Sequence, residues 1–188
     1  MSGLHLLLER AGATSWYDNQ MRDLTAAGMA NGVRDSDVFV LFLTEGVFAR
    51  PFVRYELLEA VKADKQVLLL HEEDERRGAF DFDTTSGVPD EVQRVTCELL
   101  RGMQSLPWRR LRHEQRSLLD EIVRRRCAGE LQTFCAACPD VSAHEIQIAA
   151  ERAHADVAAA AKALTPSASS AATAGASTSS TPPACSLS

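Results

Sequence analysis

Apolar and polar positions change rhythm several times along the chain, and each change marks an element. From Val38 to Leu43 every side chain is apolar, the pattern of a strand covered on both faces, as in a parallel sheet. Thr44, Glu45 and Gly46 form a turn signal. After Pro51, which suits the first turn of a helix, Val53, Leu57, Leu58, Ala60 and Val61 recur at helical spacing on one face. Glu59 and Lys62 fall on the wetter side of that helix. A second apolar run, Val67 to Leu70, predicts a second buried strand, followed by the acidic cluster from Glu72 to Glu75 and then Arg76 and Arg77.

The flanking segments extend the alternation. Leu4 to Arg10 reads as a helix stopped at Ala11 and Gly12, and Thr14 to Tyr17 as a short β-prone stretch. Asp18 to Asp23 is polar and loop-like. Thr25 is placed to cap the next helix, whose Gly28 and Gly32 suggest close packing on a sheet. Phe80 to Gly87 reads as loop. Pro89 to Met103 is helical, with Val92, Val95 and Leu99 on one face. Ser105 to Arg109 predicts a last short strand, at an edge because Pro107 cannot donate to a ladder. His113 to Arg126 is an amphipathic helix expected to turn Leu118, Leu119, Ile122 and Val123 inward. Val141 to Leu164 is alanine-rich without a wide apolar stripe, which predicts a helix that packs weakly or projects. Thr165 to Ser188 is a Ser/Ala/Thr/Pro tract with almost nothing to bury, and is expected to be disordered.

The 188 residues suit one domain with a tail. A net charge of -6 and a pI near 5.4 give no electrostatic reason to expect a nucleic-acid partner. No apolar stretch reaches the ~18 residues of a membrane helix, and no signal core stands at the N-terminus. The five cysteines, an odd number, fit a reducing compartment. Together these predict a cytoplasmic protein without a membrane partner.

Several linked segments resemble the TIR domain, the Toll/interleukin-1 receptor fold. Thr14 to Asp18 resembles that family's second strand and the loop after it. Leu24 to Ser36 resembles the second helix and Val38 to Leu43 the third strand. Phe52, Val53, Arg54, Tyr55, Glu56 and Leu57 fall on its Trp-Cys-x-x-Glu-Leu pattern, with Phe for Trp and Val for Cys. Lys65 to Leu70 resembles the fourth strand. The resemblance covers roughly residues 3 to 127. It implies an α/β, flavodoxin-like open parallel sheet with helices on both faces over residues 1–127, a helical extension over 128–164 and a disordered tail over 165–188. The family's first strand has no counterpart, so the resemblance implies a TIR fold truncated at its N-terminus. That strand would neighbour both Thr14–Tyr17 and the third strand, and without it their backbone groups would lack a partner.

The resemblance also implies a function: signal transduction by association with other TIR domains, including copies of the same chain. Some TIR domains cleave NAD as a substrate, with no cofactor or metal of their own. Glu56 matches their catalytic glutamate, since a carboxylate stabilises the oxocarbenium-like centre left by departing nicotinamide. Its bland alternative is an exposed helix glutamate, and Glu59 shows that this helix supplies glutamates anyway. Phe52, one helical turn from Glu56, can stack on a ring or fill the core. Trp16 and Asp18 would shape the cleft from the preceding loop, or serve as a sheet residue and a turn-former. Ser36 would line the cleft, or bond back to its own helix. A further alternative is a degenerate or truncated TIR fragment acting only as an interaction module.

Other candidates have simpler readings. His71, just after the second apolar run, shows no evident partner for acid–base work. The arginines at 109, 110, 112 and 124–126 read as solvated faces. Cys97 reads as a small buried side chain. Cys135 and Cys138 have the spacing of a redox pair or of half a zinc site. A structural zinc needs four ligands, and with His144 the one extra ligand nearby, two incidental thiols is the simpler reading.

Overall fold

The computed structural model describes residues 2–10, 12–15, 25–83 and 87–164. Its sheet comprises three parallel strands among the described residues, β1 (Val38–Leu43), β2 (Gln66–His71) and β3 (Ser105–Pro107), in that spatial order. Val38 to Leu43 lie opposite Gln66 to His71, and Leu69 to His71 opposite Ser105 to Pro107. Helices follow each strand: α3 (Pro51–Lys62), α4 (Asp90–Gly102) and α5 (Arg112–Cys127). Ahead of β1 stand α1 (Ser2–Arg10) and α2 (Ala26–Asp35). After α5 come the one-turn α6 (Phe134–Ala137) and the long α7 (Ala143–Leu164).

The two apolar strand runs are read alternately by two cores. Phe39, Leu41, Leu43, Val67 and Leu69 face one side, and Val38, Val40, Phe42, Leu68 and Leu70 the other. This is the period-2 rule applied to a sheet covered on both faces. α2, α3, α4 and α7 line the first side through Met29, Leu57, Leu58, Val92, Val95, Leu99, Ala149 and Val157. α1 and α5 line the second through Leu4, Leu118 and Ile122. Both crossovers, through α3 and through α4, move one strand over in the same direction. Crossovers of one hand then require both helices on one face, as found.

Local signals act as expected in several places. The Thr25 hydroxyl accepts from the Gly28 N–H at 3.1 Å and caps α2, and Pro51 opens α3. Pro107 sits in β3, an edge strand among the described residues. Thr14 and Ser15 are not in a strand, while Trp16, Tyr17 and the tract from Thr165 onward lie outside the described residues.

Four expectations are corrected. α7 does not project: Ala149, Ala153 and Val157 are almost fully buried against α3 and α4, because a face of alanines lets helix backbones approach closely. Glu59 is not on a wet face but buried, since α2 closes over α3 and brings Arg34 to it at 3.3 Å while Lys62 donates at 2.9 Å. Val123 is exposed, the inward face of α5 being carried by Leu118 and Ile122. Cys97 is only half-buried, because α4 turns Val92, Val95 and Leu99 to the core instead.

Candidate functional site at the carboxyl ends of the strands

β1 ends at Leu43, and the chain turns through Gly46, in the left-handed region at φ 65°. A short 3-10 turn over Val47–Ala49 buries Val47 and Phe48 before α3 begins. α3 then runs back along the sheet, so its first turns stand beside the carboxyl end of β1. Phe52 and Glu56 occupy one stripe of these turns, four residues apart, and both are half-buried. Glu56 lies about 7 Å along the axis from the start of the helix. Open α/β sheets bind ligands outside the carboxyl ends of the strands, at a point where the strand order reverses; the described strands run in simple sequence order, without such a reversal among them.

Ser36 is elsewhere. Its hydroxyl donates to the Gly32 carbonyl at 2.7 Å and closes α2, at the amino end of β1. Six strand residues, roughly 20 Å at the usual rise, separate it from the end that Phe52 and Glu56 flank. Trp16 and Asp18 lie outside the described residues. Of the five candidates, the fold thus brings together Phe52 and Glu56 and sets Ser36 apart.

The carboxyl end of β2 adds residues that sequence reading missed. Glu72, read as part of an acidic loop, is 3% exposed. Its backbone N–H continues the ladder to the Leu43 carbonyl, and its carboxylate accepts from the Asp74 N–H at 3.0 Å and from the Arg110 guanidinium. Arg109 pairs with Glu73 at 3.2 Å, and His71 Nε2 lies 3.7 Å from the same carboxylate. His71 therefore does have a partner on one nitrogen, while its buried Nδ1 has no hydrogen-bond partner among the described residues. Asp74, hydrogen-bonded by Arg76, is held below the usual carboxylate range.

Phe80 and Phe82, read only as loop, complete a chain of edge-on rings: Phe48 to Phe80 at 6.1 Å, Phe80 to Phe82 at 4.9 Å, and Phe82 to His71 at 5.3 Å. Contacts in this range are favourable for aromatic pairs. The chain ties the turn before α3 to the end of β2. The one available signal was position, since Glu72 directly follows a buried strand and Arg109 and Arg110 follow the next.

Chemically, Glu72 is spent on structure, because its oxygens are saturated by an N–H and a guanidinium. Glu56 stands on the helix beside the carboxyl end of β1, and Glu45 and Glu73 follow the ends of β1 and β2. A polar groove also opens between α3 and α7, about 220 Å³ in volume and lined by Glu59, Lys62, Gln147, Ala150, Glu151 and His154. It lies away from the strand ends, and both Glu59 oxygens are already engaged. Among the described residues no three His, Cys, Asp or Glu side chains are grouped to hold a metal ion, and no helix is long and apolar enough to cross a membrane.

No family model matches this chain, and neither does any curated protein.

Proposed function

We propose that this chain is a TIR-type association domain. It acts in cytoplasmic signal transduction by docking onto other TIR domains, its own copies included. What carries the reading is the order of elements: an apolar parallel strand, a glycine turn, and a helix bearing the Phe52-to-Leu57 motif over a three-stranded α/β frame. Sedimentation velocity over a wide concentration range tests the association. A sedimentation coefficient that rises with concentration is expected, and a monomer at every concentration would sink the reading.

A second activity at the same place is favoured by the pairing of Phe52 and Glu56 on one half-buried stripe. In this reading NAD is the substrate. The bond between nicotinamide and ribose breaks, nicotinamide leaves with the bonding electrons, and the Glu56 carboxylate stabilises the positive charge developing on the ribose carbon. Phe52 stacks on the departing ring. Water adds to that carbon and releases a proton, giving ADP-ribose. The expected result is NAD consumption by concentrated wild-type protein, reduced about 100-fold or more in Glu56→Ala. Equal turnover in the two proteins would remove Glu56 from the mechanism.

A further inference from the structure

We propose that Cys135 and Cys138 form a dithiol–disulfide site that takes a small disulfide of the glutathione class as its oxidant. The site is independent of the TIR reading, and either stands if the other fails. Both residues belong to one helical turn. The Ala137 N–H donates to the Thr133 carbonyl at 3.1 Å, and the Cys138 N–H to the Phe134 carbonyl at 2.8 Å. Residues three apart in such a turn have Cα atoms about 5 Å apart, inside the ~4.4–6.8 Å span that a disulfide bridges. Closing the bond needs side-chain rotation, not a new backbone fold.

The two thiols differ in access, and the difference divides the chemistry. Cys135 is exposed, beside Asp64, whereas Cys138 is buried, its thiol donating to the Glu98 carbonyl at 3.2 Å. The exposed Cys135 loses its proton and attacks one sulfur of the oxidant. A mixed disulfide forms, and the first small thiolate leaves and takes a proton. Cys138, deprotonated in turn, attacks the Cys135 sulfur and expels the second small thiol. Two protein thiols and one disulfide become one protein disulfide and two thiols, so atoms and electrons balance.

Surroundings slow the exchange. Burial, with Glu98 and Cys135 adding to it, pushes the Cys138 thiol up to about 11, and burial and Asp64 raise Cys135 as well. Thiols of high pKa are slow leaving groups and are also slow to ionise and attack, so both closure and reduction of the bond are slow and the equilibration must be long. Closure also has a structural consequence. Cys138 sulfur packs so closely on α4 that a Cβ at Gly102 would stand 2.8 Å from it and 2.7 Å from the Ala137 carbonyl oxygen. Drawing the sulfur toward Cys135 takes it off the Glu98 carbonyl and loosens the seam between α4 and α6.

Peptide-resolved thiol alkylation after equilibration with reduced and oxidised glutathione tests the site. The folded wild type is expected to lose alkylation at Cys135 and Cys138 together, in a peptide lighter by two hydrogens. In Cys138→Ser, Cys135 is expected to accumulate as a glutathione adduct. The folded chain should form the bond at least about tenfold more readily than the same chain in urea, because the turn raises the effective concentration of one thiol at the other. Free thiols at both positions in excess oxidant would overturn the proposal. So would a Cys135 adduct persisting beside free Cys138 in the wild type, or equal closure in the folded and unfolded chains.

Discussion

Glu121 is a half-buried carboxylate held far from its ordinary behaviour by two neighbours on the same helix. Hydrogen bonds from Arg124 and Arg125, three and four residues on, lower its pKa from 4.5 to about 2. A carboxyl depressed on folding contributes stability that is fully present above its unfolded pKa and is lost as pH falls through its folded one. The contribution of Glu121 should therefore fade between about pH 4.5 and pH 2. Thermal unfolding of wild type and Glu121→Gln should differ at neutral pH and converge at the acid end. Added salt should shrink the neutral-pH difference, since the cluster is solvated and screened. A gap that stays constant across this range would show that the arginines do not hold the carboxylate. Buried Glu72 shares the residue type but not the situation: its Arg110 partner arrives from a different strand end.

At the scale of elements, the contact between α3 and α7 decides most. Arg54 is buried, donates to the Phe48 carbonyl at 2.8 Å and pairs with Asp156 of α7 at 2.6 Å. Removing one member leaves the other charge buried and uncompensated, which costs about 3–5 kcal/mol. Asp156→Ala should therefore lower the denaturant midpoint sharply. The double variant Arg54→Met with Asp156→Leu should recover most of the loss, since well-packed apolar residues replace such pairs at little net cost. If Asp156→Ala unfolds at the wild-type midpoint, the ion pair does not clamp α7 to α3. Alanine packing is equally specific here. Ala149 and Ala153 are fully buried, so a larger side chain at either would push the helices apart.

For the whole molecule, α7 is a working part of the domain. Burying Ile146, Ala149, Ala150, Ala153 and Val157 contributes roughly 6 kcal/mol from apolar area alone, comparable to the ~5–15 kcal/mol net stability of a typical domain. A chain ending before Val141 should lose its cooperative unfolding transition by calorimetry, and a sharp transition near the wild-type midpoint would contradict that role. By itself the sequence determined the alternation of strands and helices, the parallel sheet, the strand–turn–helix carrying Phe52 and Glu56, and Pro107 at an edge. These follow from local rhythm, because backbone geometry repeats every 2 residues in a strand and every 3.6 in a helix. Only the tertiary structure decided that Glu59 is buried while Val123 is not, that a helix poor in large apolar residues completes the core, that Arg110 reaches Glu72, and that Ser36 stands at the far end of β1 from Glu56. Each of these depends on which faces meet across long stretches of chain, and no local period records that.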